Sequence, residues 1–266
     1  MDYGLKGKVA IVTGASRGIG RAICEQLADE GCKLMVSARG EAGVAETVDA
    51  LKAKGAEVVG LPTDVADPES LKTLVAKTVE AFGEIHILVN NAGGQRRHGG
   101  FEDLEDADYI QCYEDNVLSV VRLFRAALPH LRKHREGRVI NICSEVATQP
   151  ERIFPHYNAA KAAQLNLTKS MSKAYARDGI LVNAVSPGLI KTSSVENGFL
   201  KDAERLKVTP EEAEAAYMKR YKPGLVLGRS GKPEEVAAIV TFLASAGASF
   251  ITGSNYRVDG GSVVTL

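Results

Sequence analysis

Short apolar runs alternate with amphipathic stretches from the start of the chain to about residue 185. Val9, Ala10, Ile11 and Val12 form the first run, and Gly14 ends it. Ile19, Ala22, Ile23 and Leu27 then recur at helical spacing, with Gln26 as a polar exception and Gly31 where a helix would stop. The same reading predicts strands over 34–37, 57–61, 85–90, 138–142 and 180–185. Helices are predicted over 41–54, 68–82, 103–131 and 155–176, with Asp67 as N-cap and Pro68 as first residue of the second of these. Strands that are apolar on both faces, each followed by a helix, indicate a parallel sheet covered on both sides by right-handed crossovers.

One stretch breaks this rhythm. Residues 189–228 contain no strand pattern, and Lys191 to Asn197 is polar and reads as a loop. Thr209-Pro210-Glu211-Glu212 is a capping box with Pro at the first helical position, opening a helix through Ala213, Ala216, Tyr217 and Arg220. An excursion this long after a sixth strand reads either as a lid over a site or as a surface helical insertion. Beyond it, a helix over 233–244 and a short strand over 256–258 complete the pattern. No repeat, low-complexity segment or linker divides residues 1–266, so a single domain is expected.

Composition narrows the class. Charged residues are 25% and hydrophobic residues 45%, ordinary globular values. Lys+Arg and Asp+Glu are both 33, so the net charge is zero, which gives no electrostatic footprint for nucleic acid or an acidic membrane. No apolar run approaches the roughly 20 residues of a membrane span, and Met1 to Lys8 is unlike a signal peptide. Cys24, Cys32, Cys112 and Cys143 have no metal-ligand spacing and read as reduced thiols, so no metal and a cytoplasmic location are expected. Gly is 26 of 266 residues, a surplus that suggests tight turns or close backbone approaches to a ligand.

One such approach is legible. The first strand runs into Thr13-Gly14-Ala15-Ser16-Arg17-Gly18-Ile19-Gly20 and then a helix. A helix N-terminus presents free N–H groups and partial positive charge, so it binds phosphate. Gly14 permits the turn, Gly18 lets a pyrophosphate approach, and Gly20 lets the helix pack on the strand. At the end of the second strand, an acid would select a ribose 2′-hydroxyl and a base a 2′-phosphate. Here the segment is Val36-Ser37-Ala38-Arg39, with no acid before Glu41. Arg39 and Arg17 can clamp a phosphate dianion, pointing to NADP(H) over NAD(H). The plainer alternative is a solvated Arg39.

Tyr157 and Lys161 lie four apart at the start of a predicted helix, hence on one face. An ammonium near a phenol is expected to lower its pKa, fitting the tyrosine to exchange a proton with a carbonyl or alcohol oxygen. Ser144 directly follows the fifth strand, at the sheet end where ligands of such folds bind. With Thr13 to Gly20, Asp64-Val65, Asn90-Asn91-Ala92-Gly93, Asn116, Asn183, Pro187-Gly188 and Thr192, these residues make nearly the whole chain resemble the short-chain dehydrogenase/reductase family. It resembles the single-domain members, such as ketoacyl-carrier-protein reductases and sugar or steroid dehydrogenases. The C-terminal stretches Ile251-Thr252-Gly253 and Val258-Asp259-Gly260-Gly261 resemble that family's ending too.

The resemblance implies an α/β, doubly wound, Rossmann-type sheet of seven parallel strands with helices on both faces. It implies hydride transfer between NADP(H) and a ketone, aldehyde or alcohol. Tyr157 would be the general acid or base, Lys161 its tuner and a ligand of the nicotinamide ribose, and Ser144 the holder of the carbonyl. Asn116 would fix a water linking Lys161 to solvent. Asp64 and Val65 would meet the adenine. Asn90, Ala92 and Gly93 would line the cofactor site, with Asn90 either doing so or chiefly bracing its strand. Pro187, Gly188, Ile190 and Thr192 would surround the nicotinamide, with Ile190 and Thr192 on its carboxamide. Ser16 and Ile19 belong to the phosphate loop. A homotetramer or homodimer joined through the long helices would be expected.

Other readings remain open at this level. An NAD-dependent alcohol dehydrogenase would need a different selector, and a non-catalytic cofactor-binding regulator would not need Ser144, Tyr157 and Lys161 together. Glu145 stands where a small or apolar residue is usual, and faces either substrate or solvent. Cys143 packs like a small apolar residue. Arg96 and Arg97, in the polar loop 94–100, either favour an anionic substrate or are simply solvated. His156 points about 100° away from its neighbour Tyr157, and the resemblance implies no role for it. No motif identifies the substrate.

Overall fold

Ile11 and Val12 are adjacent in the chain and both fully buried, but they enter different cores. Successive strand residues point to opposite faces, so a strand apolar at every position requires cover on both. The computed structural model describes residues 3–265. Strands β1 (Val9–Thr13), β2 (Lys33–Ala38), β3 (Val58–Pro62), β4 (Ile87–Asn90), β5 (Arg138–Ile142), β6 (Leu181–Pro187) and β7 (Asn255–Val258) form one parallel sheet. Its order is β3-β2-β1-β4-β5-β6-β7. One face is covered by α1 (Gly18–Asp29), α2 (Glu41–Ala53) and α9 (Pro233–Ala244), whose Ile23, Leu27, Val48 and Val240 pack on Val12 and Val36. The other is covered by α3 (Pro68–Phe82), α5 (Ser119–Lys133) and α6 (Pro155–Tyr175), with Leu74, Phe124 and Met171 against Ile11, Met35 and Val139. Helix α3 begins at its expected residue because Asp67 accepts from the N–H groups of Glu69 (3.0 Å) and Ser70 (3.2 Å).

Two expectations are corrected. The stretch read as one helix over 103–131 is two: α4 (Asp106–Tyr113), a wider π-helical turn over Glu114–Leu118, and then α5. The start moves to Asp106 because the Asp108 carboxylate accepts from the backbone of Glu105 (2.9 Å). Lys191 to Asn197 is not all loop. Thr192 accepts from the N–H of Val195 (3.5 Å) and starts α7 (Ser193–Leu206), which buries Phe199 and Ala203. Helix α8 (Pro210–Tyr221) follows the Thr209–Glu212 capping box as expected, and the Phe199 and Tyr217 rings meet edge-on at 5.6 Å. Among the described residues, no helix is long and apolar enough to cross a membrane.

Candidate active site

The sheet order reverses direction at β1, whose neighbours are β2 and β4, and the loops leaving β1 and β4 therefore diverge into a crevice. Side chains stitch its base. Thr13 Oγ1 accepts from the N–H groups of Asn91 and Ala92 (both 3.1 Å), and Asn91 Nδ2 donates to the carbonyls of Thr13 (2.9 Å) and Gly14 (3.1 Å). Gly14 has φ +64°, a left-handed turn. Gly20 is required for closeness: a Cβ there would stand 2.3 Å from the Gly14 carbonyl oxygen.

The resulting cleft has a volume of about 700 Å³. Gly14, Ser16, Arg17, Gly18, Ile19, Gly20, Arg39, Asp64, Val65, Ala92, Gly93 and Thr192 all line it. Arg17 and Arg39 are exposed and form no ion pair among the described residues, whereas Glu46 in the same wall is held by Arg21 at 2.6 Å. The cleft thus fits a phosphorylated dinucleotide: a helix N-terminus, a backbone that no side chain crowds, and two unneutralised guanidinium groups. Asn90 does not line it. That side chain is buried and donates to Asn141 Oδ1 at 2.7 Å, bracing β4 on β5. Ile190 packs into the core and its backbone bridges to Gly231.

The second group converges at the ends of β5 and α6. Ser144, extended at φ −166°, caps a short 3₁₀ turn by accepting from the N–H of Val146 (3.4 Å), and its side chain acts on the Tyr157 hydroxyl. Pro155 opens α6, and Tyr157 packs on Cys112, Val117 and Ala160. Lys161 Nζ lies 5.6 Å from the Tyr157 ring centroid. The phenol's net shift is upward rather than downward, and the ammonium is held by other groups. It donates to the Ile142 carbonyl (2.9 Å) and to Gln164 Oε1 (2.8 Å). Burial pushes the Tyr157 hydroxyl up, and the Ser144 bond opposes that shift. Burial also pulls Lys161 down to about 8. Asn116, fully buried in the π-helical turn, accepts from the N–H of Gly94 (2.9 Å) and donates to the carbonyls of Gly94 and Cys112 (both 2.8 Å). A Cβ at Gly93 would stand 2.5 Å from Asn116 Oδ1 and 3.6 Å from Lys161 Nζ, so three of the residues singled out in the sequence meet at that glycine. Pro187 ends β6 and Gly188 follows it, and a Gly188 Cβ would touch Asp259 and Glu145.

Several contacts had no sequence signal. Gln164 supports Lys161 from one turn away. Arg96 makes a bidentate bridge to Asp115 (2.7 and 2.8 Å), and Arg97 pairs with Asp108 (3.1 Å), so neither is simply solvated. Glu145 is buried and bonded to Lys222, which also bonds Glu151, so it does not face solvent. Among the described residues Glu84, His86 and His134 form one cluster of potential metal ligands. His86 Nδ1 accepts from the N–H of Val9 (3.1 Å), so its other nitrogen carries the proton and has no lone pair for a metal.

The chain matches the model of the short chain dehydrogenase family over residues 8–202. It is 39% identical over 256 residues to the 3-oxoacyl-[acyl-carrier-protein] reductase FabG of Escherichia coli, covering 96% of this chain and 97% of that one. It is 38% identical to the uncharacterized oxidoreductase YvaG of Bacillus subtilis, over 99% and 98% of the two chains. The L-sorbose reductase of Gluconobacter frateurii, solved with NADPH and L-sorbose, superposes with a TM-score of 0.95 at 34% identity over the full length of both chains. An actinorhodin polyketide ketoreductase solved with NADPH does so at 0.88 and 34%, over 97% and 98% of the chains. The stitched crevice, the glycine cradle and the Ser144–Tyr157–Lys161 cluster accompany similarity along the whole chain, which belongs to the short-chain dehydrogenase/reductase family of oxidoreductases.

Proposed function

We propose that this enzyme is an NADPH-dependent ketone reductase. The observation that carries the reading is the meeting of Asn116 and Lys161 at Gly93, with Tyr157 one helical turn from Lys161, beside a cleft lined by Arg17 and Arg39, which form no ion pair among the described residues. Relatives named as reductases, two of them solved with NADPH, support it. Gly14 to Gly20 hold the pyrophosphate at the start of α1. Arg17 and Arg39 take the 2′-phosphate, Asp64 and Val65 border the adenine, and Pro187, Gly188, Ile190 and Thr192 border the nicotinamide. Bound NADPH supplies a hydride to the carbonyl carbon. Ser144 orients the carbonyl oxygen, and Tyr157 gives that oxygen its hydroxyl proton. Lys161, as an ammonium beside the ring, stabilises the phenolate left behind. Asn116 holds the Gly94 loop and, through it, the floor under Lys161. Residues 189–228 form a lid within one catalytic domain. Buried free thiols support a reducing, cytoplasmic setting. Ile110 and Tyr113, exposed on α4, support a homotetramer or homodimer.

The test is a titration of NADPH and NADH followed by nicotinamide emission, which is clean because the chain has no Trp. Tighter NADPH binding, lost in Arg39→Ala, is the expected result. NADH preference would overturn the selector. Tyr157→Phe is expected to keep NADPH binding and to lose turnover by about 10²–10⁴-fold. Unchanged turnover would overturn the mechanism.

A further inference from the structure

Directly after Ser144 stands a carboxylate shut away from solvent. Glu145 is only 3% exposed. Its Oε1 accepts from Lys222 Nζ, which also donates to Glu151. Lys222 follows α8, so it belongs to the excursion over the site and is brought to Glu145 from 77 positions away. Two carboxylates share one ammonium, so the cluster carries a net negative charge. The other oxygen, Glu145 Oε2, is buried and has no hydrogen-bond donor among the described residues. It lies at the end of β6, where a Cβ on Gly188 would come within 3.1 Å of it.

A pair whose only task was to pin the lid would not need a spare ionised oxygen. A buried acceptor without a donor is costly until a donor arrives. Its location restricts what that donor is. The neighbouring residue, Ser144, acts on the Tyr157 hydroxyl, and Gly188 directly follows the end of β6. The cations of the adjoining loop do not recruit an anion, because Arg96 is engaged by Asp115 and Arg97 by Asp108. A negative cluster also repels a carboxylate or phosphate. What fits is a neutral group with an O–H to give.

We propose that Glu145 Oε2 accepts a hydrogen bond from a substrate hydroxyl on the carbon next to the reacting carbonyl, making the substrates hydroxyketones and, in reverse, vicinal diols. This rests on the reading of Ser144 as the residue that holds the carbonyl. Lys222 holds Oε1 and leaves Oε2 to the hydroxyl.

The test compares NADPH-dependent reduction of 1-hydroxy-2-butanone, 2-butanone and ethyl acetoacetate. The wild type is expected to favour the hydroxyketone over 2-butanone in kcat/KM by about 10- to 100-fold, the range of a hydrogen bond to a charged group. Glu145→Leu should bring that ratio close to one, mostly through KM. Glu145→Gln keeps the shape without the charge and gives an intermediate ratio, which covers the case in which the leucine variant fails to fold. In the Tyr157→Phe background, quenching of bound NADPH by the hydroxyketone should need a higher concentration when Glu145 is also leucine. A wild-type ratio near one, or a preference that survives Glu145→Leu, overturns the proposal alone. No turnover of any of the three ketones by an enzyme that binds NADPH overturns the reductase reading and this proposal with it.

Discussion

Tyr157 and Lys161 show how one environment moves two groups in opposite directions. Burial disfavours charge, so it raises the phenol and lowers the ammonium. Lys161 ends near 8 against an ordinary value of 10.5. Its charged form is therefore complete below that pH and lost as pH rises through it. If the ammonium stabilises the Tyr157 phenolate, kcat/KM for ketone reduction should fall as pH rises from about 7 to 9.5. A flat profile measured at saturating NADPH would remove Lys161 from that role. Stability responds with the opposite sign. Between about 8 and 10.5 the unfolded chain keeps a proton on Lys161 that the folded chain has released, so this group makes unfolding harder as pH rises. The two trends separate a catalytic role from a merely structural one.

Elements depend on local signals, and the strength of those signals decided what could be read in advance. Asp67 caps α3 through two backbone N–H groups, and its side chain is not part of the cleft lining, although its own N–H donates to the carbonyl of the lining residue Asp64 (3.1 Å). Asp67→Ala should cost about 1 kcal/mol of stability in urea unfolding and leave NADPH affinity unchanged. A loss of affinity would mean that α3 reaches the site. The same kind of signal made α8 and α9 legible, since each starts with Pro and a Glu two positions later. Helix α7 was missed because Asn197 and Gly198 dilute its pattern, although Thr192 and the buried pair Phe199 and Ala203 mark it. The π-helical turn at Asn116 leaves no trace in spacing, because one wider turn shifts the apolar stripe by a single position. The glycine cradle and the Ser144, Tyr157 and Lys161 set were readable because their spacing is local or their order is distinctive. The Lys222 bridge to Glu145 was not, since its partners lie 77 positions apart in the chain.

At the scale of the whole molecule, the cleft joins two halves of one sheet. Its lining comes from loops after β1, β2, β3 and β4 and from the start of α7. The Thr13–Asn91 stitching holds the first and fourth of those strands together beneath it. A ligand lying across all of these loops binds only when the halves are assembled, so its affinity adds to global stability by mass action. At NADPH one hundred times its dissociation constant, the gain is about 2.7 kcal/mol. For a chain of this size that corresponds to a rise in Tm of roughly 5–10 °C. NADH at the same concentration should give a smaller rise, and Arg39→Ala should bring the two shifts together, because Arg39 adds only to the binding of the phosphorylated cofactor. Equal shifts for both cofactors in the wild type would show that the guanidinium pair does not read the 2′-phosphate. A shift confined to part of the unfolding transition would show that the halves melt separately and that the crevice is a junction between them, not the centre of one cooperative unit.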